Sequence, residues 1–399
     1  MIKKLLCLFL LYSGMVLGQE IELSPKATVS VLTMGPGQSL YDSFGHSAIR
    51  LRDQGLGIDV VYNYGVYDFT DPNFYTKFAK GNMSYLLDRK PTAHFLSNYI
   101  DYNRWVKEQL LALSPKEAQQ LFEFLENNLK PENRAYNYDF FYDNCATKVP
   151  EVIGKVISGG IIIDPTYLDE QKTFRTLIQE NVHWNTWGSF GMDIGIGSVT
   201  DKIATANEHM FLPENVFLAF QKATRDEASG GIPLVMETKD LFVNNPIPPR
   251  GEGLKSPLVL FGLLGILILF FTYRDYKKQE RSRWLDVSLA IITGVVGIIL
   301  LLLWFATDHS TTANNYNVLW AFPFNVFIVL QLLKKQPKKW LGRYMRFLII
   351  LLALLTLHWI IGVQVFAKAL IPLLVALALR YIYVVKYLGS LPSVEDNRA

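Results

Sequence analysis

From Pro257 onward the chain carries five apolar stretches, at about 257–273, 285–306, 316–333, 347–363 and 366–385. Each approaches the roughly 20 residues a helix needs to cross a bilayer. The region 257–388 therefore reads as an all-α, five-helix transmembrane domain. The connecting loops orient it. Arg274, Lys277, Lys278, Arg281 and Arg283 crowd the first loop, and Lys334, Lys335, Lys338, Lys339, Arg343 and Arg346 the third. The second, ATDHSTTANNYN, has no Lys or Arg, and the fourth is very short. Basic loops face the cytoplasm, so the segment before the first span lies outside and the tail at 389–399 inside.

The N-terminus agrees. In MIKKLLCLFLLYSGMVLGQE, Lys3 and Lys4 form a basic start, Leu5 to Leu11 an apolar core, and Val16-Leu17-Gly18 a cleavage site, a secretion signal over 1–18. The alternative is an uncleaved anchor. Residues 19–245 form the exported domain, and PIPPRGEG opens a linker over 246–256. The net charge of +3 reports topology, and no nucleic-acid partner is expected.

About 240 external residues suffice for one substantial core. Thr28–Met34, Phe44–Arg52 and Ile58–Tyr64 read as strands, the last two a hairpin across DQGLG. Ser114-Pro115-Lys116-Glu117 reads as a capping box opening a helix with Leu121, Phe122, Phe124, Leu125 and Leu129 apolar. Asn144 precedes a further helix, Cys145 to Ile157.

The chain has two cysteines, and Cys7 lies in the signal, so the mature chain keeps one thiol, Cys145. A lone thiol in an oxidising compartment forms no internal disulfide. It is either an inert buried side chain or a nucleophile. At a helix start, unpaired N–H groups and the dipole favour thiolate, and the same N–H groups suit an oxyanion. Asn144 either adds a donor or caps the helix. In FGHSAIRLRD, alternation places Phe44, His46, Ala48 and Arg50 on one side of the strand and Gly45, Ser47, Ile49 and Leu51 on the other. His46 is the candidate base, or else a structural histidine. Asn63 or Tyr64, in YNYG, can hold its ring, and Asn63 is preferred because an amide oxygen accepts from a ring N–H.

The order of His-bearing strand, second strand and NC at a helix start resembles the circularly permuted papain-like folds of the NlpC-type superfamily, which include the lecithin:retinol acyltransferase class. More closely, FGHSAIRLRD, YNYG, GNMSYLL, YDNCATKV, WGSFGMDIGIGSVTD and FLPENV resemble the periplasmic domain of Lnb-type bacterial lipoprotein N-acyltransferases. The membrane region, with DHSTTANNYNVLW between the second and third spans, is similar to that family as well. The resemblance implies an α+β, papain-like thiol-enzyme domain with helical additions on a five-helix membrane domain, in the inner membrane and with its catalytic domain periplasmic. It implies acyl transfer from a phospholipid donor to the amine of a diacylated lipoprotein acceptor, among membrane lipids and with no metal or cofactor. Cys145 and His46 would be the catalytic pair with Asn63. Tyr41, Tyr64, Asn144 and His309 are the expected substrate-binding residues.

Two rivals share these residues: a Cys–His hydrolase (cell-wall amidopeptidase or phospholipase) and a non-catalytic receptor or scaffold. Asp308 and His309 either line a lipid entrance or belong to a solvated loop. His358, inside the fourth span, is expected to bond a neighbouring helix, and Asp193 and Asp201 to cap turns rather than bind a metal. His94, His183 and His209 lack metal-ligand spacing, and Gly35-Pro36-Gly37 lacks the context of a phosphate loop.

Overall fold

Period-two alternation in the first half builds a seven-stranded antiparallel sheet. The computed structural model describes residues 21–67, 73–225, 231–245 and 251–391. The signal expected at 1–18, half of the linker and the tail beyond Leu391 lie outside the described residues. The strands are β1 (Thr28–Met34), β2 (His46–Asp53), β3 (Ile58–Tyr67), β4 (Ser84–Pro91), β5 (Val106–Leu111), β6 (Ala135–Asn137) and β7 (Val235–Phe242). They lie side by side as β6-β4-β3-β2-β1-β5-β7.

Both faces of this sheet are covered. On one, Val29, Val31, Ile49, Leu51 and Tyr62 pack under helices α2 (Pro115–Asn128), α3 (Cys145–Val156) and α6 (Pro213–Lys222). On the other, Leu32, Met34, Ala48 and Val61 pack against Phe95 of α1 (Thr92–Asp101). Helix α2 starts where its capping box predicts: Ser114 Oγ accepts from the Glu117 N–H at 3.3 Å, and the Glu117 carboxylate accepts from the Ser114 N–H at 2.8 Å. Its Leu121 and Leu125 are fully buried, each such side chain contributing roughly 1.5–3 kcal/mol.

The WGSFGMDIGIGSVTD block is largely helical. It forms α5 (Trp187–Gly195) and a 3₁₀ turn at Ser198–Asp201. Between α4 (Phe174–Asn181) and this block lies Arg175, only 1% exposed. Its Nη1 is 3.1 Å from Asp193 and its Nε 2.9 Å from Asp201, and Nη2 donates to the Ile196 and Gly197 carbonyls. The two aspartates expected to cap turns are thus the buried partners of one guanidinium.

Four helices are long and apolar enough to cross a membrane among the described residues: α7 (Pro257–Lys278), α8 (Arg283–Phe305), α9 (Trp340–Ile360) and Lys368–Gly389, whose α-helical part is α10 (Ile371–Gly389). The third apolar stretch is not a continuous α-helix. It runs as 3₁₀ turns at Tyr316–Leu319 and Pro323–Ile328 and one short α-turn at Val329–Leu332. Its start sits by the α9–α10 connection, where the Tyr316 N–H donates to Gln364. Its end meets the α7–α8 loop, where Arg281 donates to the Leu332 carbonyl. Irregular backbone survives at membrane depth only where protein covers it. Here Gly297 of α8 supplies the cover, since a Cβ there would stand 2.0 Å from the Ala321 oxygen.

The sheet domain rests directly on this bundle. Phe190 and Ile194 of α5 pack on the membrane-domain core, with Phe190 4.8 Å from Phe261 between ring centroids. The loop after α8 grips the same block: Asn315 donates to the Ile194 and Gly195 carbonyls, and the Gly197 N–H donates to Thr311. A Cβ at Gly197 would lie 1.8 Å from the Ala313 oxygen, so glycine permits the close approach.

Candidate active site

The site forms where two strands part. β2 stays paired with β1 as far as Met34↔His46, but its ladder with β3 ends at Ile49↔Tyr62. β3 then bulges between Asn63 and Val66, with Gly65 at φ +92°, a conformation that suits glycine. The N-terminus of α3 enters this opening and brings Cys145 to the parted strands. The Ser47 N–H, left without a β3 partner, and the N–H of Cys145 itself favour negative charge on the Cys145 sulfur.

His46 interacts electrostatically with the same sulfur, each shifting the other's titration. Its Nε2 lies 2.5 Å from Asn63 Oδ1. An amide oxygen only accepts, so Nε2 carries the proton and Nδ1 is left for the thiol. The ring lies parallel to Tyr99, 6.2 Å between centroids, and against Phe95 at 6.5 Å. The electrostatics of the pair are mutual. Burial pushes the Cys145 thiol up, but the charge of His46, its hydrogen bond and the Ser47 and Cys145 N–H groups together hold it below the usual thiol range. Burial pushes His46 down, while Cys145 and the Asn63 bond raise it above the usual imidazole value. Both shifts favour a thiolate–imidazolium pair.

A cavity of about 270 Å³ is lined by neither Cys145 nor His46, but its walls include Tyr85 and Tyr138, which sense the Cys145 charge. The sheet domain contributes Leu40, Tyr41, Phe44, Met83, Tyr85, Tyr138 and Phe140, and the loop after α8 contributes Asp308, His309, Ser310 and Thr311. The Asp308 N–H donates to the Lys80 carbonyl at 2.7 Å, and Ser310 Oγ to Asp139 at 2.6 Å, so both domains wall one space.

The family model of the Lnb N-terminal periplasmic domain matches residues 21–180, and that of the Lnb transmembrane domain residues 250–389. The chain belongs to the Lnb-type lipoprotein N-acyltransferase family. Neither a curated protein nor a solved structure matches it. As an Lnb-family chain it is an inner-membrane protein with a periplasmic N-terminal domain.

Within this Lnb-family structure, Cys145, His46 and Asn63 are brought together. Tyr41, 80% exposed, and His309 line the cavity. Two other expected contacts are spent elsewhere. Tyr64 is 4% exposed, and its hydroxyl donates to Asn128 at 2.6 Å inside the core. Strand alternation turns it away from Asn63 and His46. Asn144 is a pure N-cap: Oδ1 accepts from Ala146 and Thr147, and Nδ2 donates to the Phe140 and Phe211 carbonyls, so no donor remains for substrate. Inside the fourth expected span, His358 Nδ1 finds no hydrogen-bond partner among the described residues, and its ring instead meets Tyr316 edge to face at 4.6 Å. Sequence reasoning missed Gly65, Tyr85, Tyr136 and Tyr138. The signal was present in AYNYDFFYDNC, where aromatics alternate just before the cysteine.

Proposed function

We propose that this chain moves a fatty acyl chain from a phospholipid to the N-terminal amine of a diacylglyceryl-cysteine lipoprotein, through a thioester on Cys145. The observation that carries this reading is a Cys145–His46–Asn63 set linked through Tyr85 and Tyr138 to a cavity walled partly by a loop between membrane segments. The Cys145 thiolate attacks the phospholipid ester, and His46 gives its proton to the departing glycerol oxygen. The lipoprotein amine then attacks the thioester, His46 takes the amine proton, and the thiolate is released. Asn63 keeps the imidazole oriented, while Tyr41 and His309 contact the lipid where it enters.

The papain-like permuted arrangement and a cytoplasmic C-terminus belong to the same reading. So does a fifth crossing by the broken stretch Tyr316–Leu332. A 3₁₀ segment rises about 2 Å per residue, so its 17 residues can match a hydrocarbon core about 30 Å thick.

The test uses the full chain in phospholipid vesicles with a synthetic diacylated lipopeptide. Mass spectrometry is expected to find an amide-linked acyl group on the peptide and lysophospholipid in equal amount, both absent for Cys145→Ser. Free fatty acid without amide would reject the transferase in favour of a hydrolase. Full activity in Cys145→Ser would reject the thioester.

A further inference from the structure

The Tyr136 hydroxyl is buried and has no hydrogen-bond partner among the described residues. Leaving a buried polar group unpaired is costly, so an unused hydroxyl at this position calls for a reason. The rest of the side chain is fully engaged. Tyr136 stands on β6 opposite Tyr85 of β4, its ring meets Tyr64 edge to face at 5.9 Å, and the Lys148 ammonium lies 4.9 Å from its centroid. Packing thus fixes where the hydroxyl points.

It points at the reacting sulfur's surroundings. A Cβ built on Gly65 would lie 3.5 Å from Cys145 Cβ, 3.9 Å from His46 Cε1 and 3.9 Å from the Tyr136 hydroxyl. The missing side chain of Gly65 therefore leaves a small space bounded by nucleophile, base and an idle donor. Burial, then the Cys145 and Asp143 charges, push the Tyr136 phenol well above its ordinary value, so it stays a protonated donor.

We propose that the Tyr136 hydroxyl donates a hydrogen bond to the oxyanion formed when Cys145 attacks the acyl carbonyl, in the space kept open by Gly65. This rests on the acyl-transfer reading above and adds a catalytic residue to it. As the sulfur–carbon bond forms, the carbonyl π pair moves onto oxygen, and Tyr136 and the Cys145 N–H stabilise that charge without transferring a proton. Collapse restores the carbonyl, breaks the ester carbon–oxygen bond and sends the His46 proton to the leaving oxygen. The same oxyanion forms again when the amine attacks the thioester, so Tyr136 acts in both halves of the cycle.

The test is Tyr136→Phe in the full-length protein, assayed in phospholipid vesicles with the diacylated lipopeptide. Removing one oxyanion donor commonly costs about 100- to 1,000-fold in kcat. That loss is expected here, with KM for phospholipid unchanged within about twofold and a melting temperature equal to or above the parent's. A kcat within about threefold of the parent overturns the proposal, and so does a loss accompanied by a lowered melting temperature. Cys145→Ala is run in parallel: if it still acylates the peptide, the thioester reading itself has failed. If Cys145→Ala is inactive while Tyr136→Phe is normal, only the role of Tyr136 is rejected.

Discussion

Replacing Asn63 with Leu exchanges the amide oxygen and nitrogen for two methyl groups. In the structure that oxygen accepts from His46 Nε2 at 2.5 Å and helps raise the imidazole's affinity for its proton. A hydrogen bond to a charged group contributes about 1.5–3 kcal/mol. At about 1.4 kcal/mol per tenfold in rate, kcat should fall roughly 10- to 150-fold. The pH profile carries the sharper signature. The active pair needs Cys145 deprotonated and His46 protonated, so activity rises through the Cys145 titration and is lost as pH climbs through that of His46. Without Asn63 the His46 value falls, and the thiolate loses part of its partner's charge. The alkaline limb should move to lower pH, the acid limb to higher pH, and the bell should narrow. Steady-state rates of lipopeptide acylation measured across pH, with melting curves as a control for folding, decide the matter. A variant that keeps more than half of the parent kcat with an unmoved alkaline limb would refute the orienting role of Asn63.

The parent protein itself should react with iodoacetamide at pH values below the usual thiol range, because its surroundings lower the Cys145 pKa; labelling that follows an ordinary thiol titration would contradict this. Arg175→Met strands two carboxylates, and losing one partner of a buried ion pair costs about 3–5 kcal/mol, read as a large drop in melting temperature. Burial already raises Asp193 and Asp201 above the ordinary carboxylate value. The folded state therefore binds their protons more tightly than the unfolded one, and the damage should ease on acidification and worsen as pH rises. Gly197→Ala should lift the loop after α8 off the sheet domain, since its Cβ would overlap the Ala313 carbonyl at 1.8 Å. Proteinase K cleavage within 307–315 should speed up and acylation should fall, whereas unchanged protection would show that the loop is held by other contacts.

The two-domain plan could be read from local pattern because it depends on short-range periodicity. The alternation in TVSVLTM and FGHSAIRLRD fixed two strands and the face carrying His46, and Ser114–Glu117 marked a helix start. The pairing of His46 with Asn63 followed from donor and acceptor chemistry on adjacent strands. What could not be read depends on distant contacts. Asp193 and Asp201 looked like turn residues because Arg175, their partner, belongs to another helix. Tyr64 looked available because YNYG does not reveal which neighbour points inward. The stretch from 316 to 333 looked like a helix because apolar length was the only signal. Pro323 instead starts a 3₁₀ turn, and the buried Asn317 and Asn325 donate to the Asp193 carbonyl and the Thr293 hydroxyl on neighbouring segments. Nothing in the sequence signals why residue 197 must be glycine, which the structure explains by the membrane loop that crosses it.

The chamber lined by Tyr85 and Tyr138 borrows one wall from the loop after α8, through His309 and its neighbours. Severing the soluble half from its anchor would leave that chamber a shallow, open trough. Inhibitor screens on an excised periplasmic fragment would then select compounds for a shape that the intact enzyme never presents, and ligands bridging both halves would be overlooked.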